Sequence, residues 1–182
     1  MNVTPDLNQR FREAALREGL IDVRYDIVDS PIGELFVAAT DLGLTRISFF
    51  PEGMEDTLAL TFGPRVLRSP LDAVRRELDE YFEGKRRVFD LPLDLRVAPF
   101  HADVLAQLAR VPYGETETYG ALAAKAGRPR AARAVGTVMN RNPIPIVLPC
   151  HRIVGANGAL TGYAGGLDVK LRLLQLEGAM LA

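Results

Sequence analysis

The local pattern of the chain changes near residue 98, and this change limits the possible folds more than any other feature. Before it lie three short runs rich in β-branched and aromatic residues, "VRYDIVD", "ELFVAAT" and "GLTRISFF", with "DSPIG" and "DLG" between them as turns. Runs of this kind predict the strands of an antiparallel meander. After residue 98 the apolar residues follow helical spacing. The sequence therefore predicts an α+β fold, in which a small antiparallel-sheet domain precedes a mainly helical domain.

Helix and strand signals complete the first half. "SPLDAVRRELDEYFEG" predicts a helix with Ser69 as its N-cap, Pro70 at its first position and Gly84 at its end. "RRVFDLPLDL" predicts a last strand before a linker near residues 92–99, and residues 6–19 predict a short amphipathic helix. No chemical motif stands out in this half. The expected domains are an N-terminal helical extension at 1–20, an α+β domain at 21–97 and a second domain at 98–182.

Two short helices joined by a tight turn are predicted in the second half. "TYGALAAKAG" starts at a Thr118 cap and stops at Gly127, and "RPRAARAVGTVMN" follows with Pro129 in its first turn. Such a pair is a helix-turn-helix candidate, whose second helix normally enters a groove of DNA. Helix pairs of this size are also common as packing units, so the pattern alone leaves both interpretations open.

Charge is distributed unevenly along the chain. Residues 1–100 carry 13 Lys or Arg against 18 Asp or Glu, whereas residues 101–182 carry 9 against 5. No acidic residue lies between Glu117 and Asp168, and this window contains Lys125, Arg128, Arg130, Arg133, Arg141 and Arg152. Basic surface without acids favours a polyanion as partner, because each neutralised phosphate releases counterions. An ordinary solvated face with scattered cations is the alternative.

The chain of 182 residues has one cysteine, Cys150. One cysteine excludes an internal disulfide and a structural zinc site built on several cysteines, so we expect a reducing compartment, no metal and no cofactor. No apolar run approaches membrane-spanning length, and the N-terminal residues are too polar for a signal peptide. We therefore expect a cytoplasmic protein without a membrane partner.

The segment around Cys150 combines several strong backbone signals. Three prolines stiffen "NPIPIVLPCHRIVGANGALTGYAGG", and its Asn157-Gly158 pair predicts a hairpin of "HRIV" and "ALTGY". A nucleophilic cysteine needs a thiol pKa lowered from about 8.5 and a base nearby. His151 can be that base if the chain turns tightly, with Asp168 or Glu177 as the nearest downstream carboxylate. Spacing alone gives this interpretation about the same weight as an inert, packed cysteine.

Several stretches of the second half together resemble one family. "NPIPIVLPCHR", "PCHRIVGANGALTGYAGG", "VPYGETETYGALAAKAG" and "AARAVG" are similar to the C-terminal domain of the O6-alkylguanine-DNA alkyltransferases, the methylated-DNA–protein-cysteine methyltransferases. The likeness is dense from residue 98 to residue 178, and looser in "DSPIGELFVAATDLGLTRISF" and "ELDEYFEGKRRVFDLPLDL". The resemblance implies a ribonuclease H-like first domain and the direct repair of double-stranded alkylated DNA by a monomer.

The resemblance also implies a reaction that each molecule performs once. The damaged guanine is flipped out of the duplex, because its O6 substituent cannot be reached within the stack. Cys150 then takes the alkyl group of O6-alkylguanine irreversibly, and O4-alkylthymine is a further candidate substrate. The helix-turn-helix is expected in the minor groove, which the small residues of "AARAVG" would admit.

Site residues are carried over position by position from the matching motifs. The implied catalytic residues are Cys150, His151, Glu177, Asn142 and Tyr119. The implied DNA contacts are Arg133, Tyr119, Arg130, Ala131, Ala132, Gly136 and Arg141. The implied lining of the base pocket is Tyr119, Cys150, Ile153, Tyr163, Ala164, Met139 and Pro145.

Individual roles follow from the same resemblance. His151 deprotonates the cysteine through a water molecule, with Glu177 behind it. Asn142 braces the cysteine turn, and Arg133 takes the place of the extruded base. Ala164 departs from relatives that have serine there, so only its backbone amide can stabilise the leaving oxygen. On the residues alone two other functions stay open: a DNA-binding regulator with a structural cysteine, and a cysteine hydrolase that does not act on DNA.

Overall fold

The structure, a computed structural model, describes residue 10 and residues 13–180. Residues 13–17 are helical (α1) and Gly19 follows with a φ of 65°. The first half then contains β1 (Val23–Val28), β2 (Leu35–Thr40), β3 (Gly43–Ser48), α2 (Met54–Phe62), β4 (Val66–Arg68) and α3 (Asp72–Phe82). The second half contains α4 (Pro99–Leu108), β5 (Glu117–Thr118), α5 (Tyr119–Lys125), α6 (Ala132–Asn140), a 3-10 turn (Cys150–Arg152), β6 (Ile153–Val154) and α7 (Leu167–Leu176). Of the helix predicted at 6–19, residues 6–9, 11 and 12 lie outside the described residues.

The sheet of the first half has the strand order β3-β2-β1-β4. β1 pairs with β2 and β2 with β3 in antiparallel register, which confirms the predicted meander. β4 was not predicted; it adds to β1 in parallel, from Val23 opposite Val66. Three residues are too few to show a period of two. α2 was also missed, because only Leu58 of this helix is buried while Leu60 is 90% exposed, so no apolar stripe is visible.

The start of α3 and the strand after it differ from the prediction. The helix begins at Asp72 with Leu71 as N-cap, rather than at Ser69, whereas Gly84 ends it as expected with a φ of 72°. The strand predicted from "RRVFDLPLDL" at 86–95 is reduced to an isolated parallel bridge between Leu93 and Leu44 of β3, so most of that prediction is wrong. Glu77 of α3 holds the first part of this segment, because its Oε2 accepts the N–H of Asp90 at 2.8 Å, and the last part bonds to β3, where Leu44 N–H donates to Pro92 C=O at 2.8 Å.

The helix-turn-helix of the second half is present as α5 and α6. The hydroxyl of Thr118 accepts the N–H of Ala121 at 3.2 Å and caps α5 as predicted. Pro129 is not in the first turn of α6. It lies at the second position of a turn closed by a 2.8 Å bond from Ala131 N–H to Arg128 C=O, where a fixed φ is equally favourable.

The predicted hairpin at Asn157-Gly158 forms only as a turn. Gly155 N–H donates to Ala159 C=O at 2.9 Å, but the residues after it form no strand. β6 pairs in parallel with β5 instead. The segment after the turn is held from another side, because Thr161 C=O accepts Nζ of the buried Lys170 at 2.9 Å.

One apolar core extends through both halves of the molecule. It joins Leu35 and Leu78 of the first half with Leu105 and Leu173 of the second. The α+β fold class is as predicted, whereas the boundaries at residues 20 and 97 stay predictions. In the part of the chain that the structure describes, no helix is both long and apolar enough to cross a membrane.

Candidate functional site

The cysteine is presented by a tight, internally braced turn. The N–H of Cys150 donates to Leu148 C=O at 2.8 Å, and Pro149 between them has φ −82° and ψ 63°, the geometry of an inverse γ-turn. Asn142 holds the start and the end of this segment together. Its Oδ1 accepts the N–H of Ile144 at 3.1 Å, and its Nδ2 donates to Leu148 C=O at 2.8 Å. The chain therefore turns at the cysteine, as the histidine hypothesis required.

Ile146 lies in the middle of this turn with a φ of 75°. A β-branched residue rarely adopts the left-handed region, where such a conformation costs about 1–3 kcal/mol. The side chain is nevertheless buried, with 1% of its surface exposed. Packing and the Asn142 bonds hold the backbone in a conformation that the local sequence disfavours.

The thiol of Cys150 is buried and protonated. Only 3% of the residue is exposed, and burial raises the thiol pKa to about 11, although a hydrogen bond from Asn142 and the charge of Lys170 act in the opposite direction. The nucleophile hypothesis required a lowered thiol pKa, whereas burial outweighs the effects of Asn142 and Lys170 and raises it here. A reaction at this sulfur therefore needs a base that takes up its proton.

His151 and Glu177 form a buried pair beside the cysteine. Nε2 of His151 lies 2.8 Å from Oε1 of Glu177, and neither side chain has exposed surface. Burial alone would raise the Glu177 pKa, but hydrogen bonds from His151 and Arg152 lower it to about 2. Burial lowers the His151 pKa. An ionised carboxylate can only accept, so we assign the proton to Nε2, and Nδ1 is left as the basic nitrogen. Nδ1 is buried and has no hydrogen-bond partner among the described residues.

Arg152 is part of this buried network, which the sequence interpretation missed. Its Nε donates to Oε2 of Glu177 at 2.8 Å, its Nη2 to Oε1 at 2.9 Å and its Nη1 to Val111 C=O at 2.6 Å. Only 6% of Arg152 is exposed, so its assignment to a polyanion-binding surface is wrong. Two features of the sequence could have indicated this pairing. Arg152 directly follows His151 in a predicted tight turn, and Glu177 is the second carboxylate after it, following Asp168.

A second cation and two phenols lie around the thiol and the His151–Glu177 pair. Lys170 is fully buried and its Nζ donates to Ile153 C=O at 2.6 Å, which ties the strand after the cysteine to α7. Burial raises the pKa of Tyr163 well above its ordinary value, and the neighbouring Cys150 sulfur adds to this effect. Tyr81, from the first half, donates its O–H to Oε1 of Glu177 at 2.7 Å.

The helix-turn-helix forms an open groove of about 500 Å³ next to this site. The groove brings together four of the predicted DNA contacts, Tyr119, Ala132, Arg133 and Gly136, and its remaining lining is Thr137, Asn140, Thr161 and Gly162. The predicted contacts Arg130 and Ala131 lie in the turn before α6, and Arg141 lies just after this helix.

Four arginines of the acid-free window are exposed: Arg128, Arg130, Arg133 and Arg141. None of the four forms an ion pair within the described part of the chain. Lys125 differs, because it pairs with Glu117 at the edge of the window. The described surface of this half thus carries unpaired positive charge on both ends of α6.

A smaller cavity of about 170 Å³ lies where the two halves meet. From the second half it includes four residues of the predicted site, Arg141, Asn142, Pro145 and Ala164, together with Asn140. The first half contributes the end of β3 and the residues after it: Arg46, Ile47, Ser48, Phe49, Phe50 and Met54. The sequence interpretation found no chemistry in that half and missed these residues.

The remaining predicted pocket residues are in the core. Met139 and Ile153 are 4% and 0% exposed and line neither of the two cavities. Tyr163 packs against Phe49, with ring centroids 5.5 Å apart. No group of three His, Cys, Asp or Glu side chains within residue 10 and residues 13–180 is arranged to hold a metal ion.

The fold and the site define a class of protein: one that combines a helix-turn-helix with a single buried thiol beside a histidine–glutamate pair, as expected of an enzyme that acts on DNA through a cysteine nucleophile. Two family models match the chain. "6-O-methylguanine DNA methyltransferase, ribonuclease-like domain" matches residues 23–95, and "6-O-methylguanine DNA methyltransferase, DNA binding domain" matches residues 99–179. The chain belongs to the 6-O-methylguanine DNA methyltransferase family.

Individual relatives agree over nearly their whole length. The methylated-DNA–protein-cysteine methyltransferase of Methanosarcina barkeri is 42% identical over 162 residues, which are 84% of this chain and 96% of the relative. That of Mycolicibacterium paratuberculosis is 45% identical over 156 residues, 85% of this chain and 92% of the relative. The crystal structure of Mycobacterium tuberculosis OGT in complex with DNA has a TM-score of 0.77 at 39% identity, covering 85% of this chain and 92% of that one. The predicted family is confirmed, and the chain is an enzyme that transfers alkyl groups from DNA to a protein cysteine.

Proposed function

We propose that this chain repairs DNA by moving the alkyl group of O6-alkylguanine onto Sγ of Cys150, once per molecule. One observation carries the proposal: the buried 2.8 Å bond between His151 Nε2 and Glu177 Oε1. This bond directs the basic Nδ1 lone pair of His151 away from the carboxylate and leaves it available to the thiol of the preceding residue. A packed, inert cysteine would need neither partner.

The reaction balances without a cofactor. The thiol proton passes to Nδ1 of His151, through a water molecule as the resemblance implies, while Glu177 stabilises the imidazolium that forms. The S–C bond forms as the bond between carbon and O6 breaks, and the electron pair goes to the guanine. The guanine takes up one proton from solvent at N1, and His151 returns the thiol proton to solvent. The backbone amide of Ala164 is the proposed donor to the leaving oxygen. The thioether product is stable, so the protein does not return to its starting state.

DNA is the partner of this enzyme, and we place α6 in the minor groove. Four unpaired arginines around this helix supply the positive charge that phosphates need, and the small residues Ala132 and Gly136 admit close approach. Arg133, exposed at the start of α6, is proposed to fill the space of the flipped base, and Tyr119 to contact the phosphate beside it. Arg130, Ala131 and Arg141 are proposed as backbone contacts at the two ends of the helix.

The base pocket is proposed between the cysteine turn and the "GYAGG" segment. Pro145 and Ala164 share one cavity, and Tyr163 lies close to the sulfur. Met139 and Ile153 are proposed to support the pocket, Ile153 also through its backbone. We further propose a cytoplasmic monomer with domains at 21–97 and 98–182 after an extension at 1–20, in keeping with its single cysteine.

The test is a single-turnover reaction followed by mass spectrometry. The protein is incubated with duplex oligonucleotide that carries O6-methylguanine. We expect the Cys150 peptide to gain the mass of one CH2 unit, with no more than one equivalent of DNA repaired. Cys150→Ser should bind the same DNA without any gain, because a hydroxyl is a much weaker nucleophile. DNA binding by the unchanged protein without a mass gain would indicate a regulator, and repeated turnover would indicate a hydrolase.

A further inference from the structure

A tyrosine from the first half reaches the catalytic pair. Tyr81, in α3, is fully buried, and its O–H donates at 2.7 Å to the same Glu177 oxygen that accepts Nε2–H of His151. The two residues are 96 positions apart in the sequence. Aromatic side chains fix the ring from three directions: Phe82, Phe89 and Tyr113 have their centroids 5.3, 5.3 and 6.2 Å away.

We propose that Tyr81 is a positioning residue for alkyl transfer: through Glu177 it sets the basicity of His151, and so makes the first half part of the proton path. The inference rests on the proposed function of Cys150 and His151. The inference gives α3, which belongs to neither the DNA-binding surface nor the cysteine turn, a role in adjusting the basicity of His151.

The physical argument concerns one crowded oxygen. Oε1 of Glu177 accepts from Tyr81, from His151 and from Nη2 of Arg152, so three donors share its negative charge. Each donor withdraws charge that would otherwise hold the imidazole proton. Removal of the Tyr81 hydroxyl concentrates this charge on His151 and Arg152. The imidazolium form of His151 is then better stabilised, which raises the His151 pKa.

The other ionisable groups around His151 and Glu177 do not reverse the expected rise of the His151 pKa. Facing it are Arg152 and Lys170 as cations, Tyr113 and Tyr163 as phenols, and the thiol of Cys150. Burial and the charge of Glu177 both raise the pKa of Tyr81, so its hydroxyl keeps its proton and stays a donor. Glu177 stays ionised, because its pKa is about 2. His151 is therefore the group whose titration follows a change at Tyr81.

The experiment measures the rate of Cys150 alkylation by free O6-benzylguanine as a function of pH. The free base is the probe because its reaction requires neither DNA binding nor base flipping. Transfer needs a neutral His151, so the rate falls on the acidic side as the imidazole is protonated. For Tyr81→Phe we expect this fall to move to higher pH by about one unit, the size of one hydrogen bond to a charged group. Tyr113→Phe is the matched control, because this phenol donates to the main-chain Leu176 C=O at 3.1 Å instead.

Two further measurements keep the inference open to disproof. In a Glu177→Gln background, Tyr81→Phe should no longer shift the profile, since the shared carboxylate is gone. If Tyr81→Phe does not fold, 3-fluorotyrosine at position 81, a stronger donor of nearly the same size, should shift the profile to lower pH. An unshifted profile in a folded Tyr81 variant, or equal shifts in both tyrosine variants, would overturn the role of Tyr81. Failure of the unchanged protein to take up any benzyl group would instead overturn the proposed function.

Discussion

The buried network around Glu177 and the open groove of the helix-turn-helix each contain an arginine from the same acid-free window. Arg152 is 6% exposed and holds Glu177 with two hydrogen bonds, whereas Arg133 lines the groove and has no ion pair among the described residues. Both arginines lie between Glu117 and Asp168, where the sequence has no acidic residue. A basic stretch of sequence therefore gives the net charge of a segment but does not show which of its side chains are exposed. The same stretch contains an arginine that stabilises the buried site and arginines that lie on the exposed surface.

Replacement of Arg152 should give the larger effect. Arg152→Ala leaves the buried Glu177 carboxylate without the two hydrogen bonds of its guanidinium partner, and loss of one member of a buried pair costs about 3–5 kcal/mol. Denaturant unfolding with and without the substitution measures the difference. Arg130→Ala is the matched control, because an exposed arginine outside any pair should change stability by less than about 0.5 kcal/mol. Equal stability of the two variants would break the distinction between the two regions.

Replacement of Arg133 should leave stability unchanged and slow repair in duplex DNA. If this side chain fills the space of the flipped base, Arg133→Ala should reduce the rate of duplex repair roughly tenfold or more, since extrusion costs a few kcal/mol. The reaction with free O6-benzylguanine should change little. Parallel rates on the two substrates are the measurement, with Arg128→Ala as control. A loss of equal size on both would place Arg133 in the chemistry rather than in base extrusion.

The contact between the halves at the "GYAGG" segment should give the smallest effect. A Cβ on Gly165 would lie 2.9 Å from the ring of Phe49, closer than real side chains approach. Overpacking of this kind costs about 1–3 kcal/mol, part of which the Phe49 ring relieves by moving. The rest should push the Gly165 segment of Gly165→Ala towards the proposed pocket. Benzyl transfer should then slow by a few-fold more than methyl transfer. Added Phe49→Leu should restore the rate. If Gly165→Ala leaves the ratio of benzyl to methyl transfer rates unaltered, the first half does not shape the pocket.

The sequence could predict those features that depend on residues close together in the chain. The turn at Cys150 depends on the prolines around it and the cap of α5 on the hydroxyl of Thr118, and both are present. The likeness to a known family supplied Glu177, which spacing left level with Asp168. Tyr81 could not be predicted, because on the apolar face of α3 it looks like any core aromatic, and the carboxylate it meets is 96 residues away. The strand expected at 86–95 forms only an isolated bridge for a related reason, since Asp90 bonds to Glu77 of α3, a contact that the local sequence does not reveal.

The left-handed backbone of Ile146 has a consequence for how the reactive group could be transferred elsewhere. A peptide copied from residues 142–152 and cut free of the molecule would relax at that isoleucine, and the sulfur would swing away from its histidine. Grafting the same loop onto another scaffold would meet the same difficulty unless the surrounding core came with it. The reactivity of this cysteine is thus not a portable property of a short motif: it belongs to the whole tertiary structure.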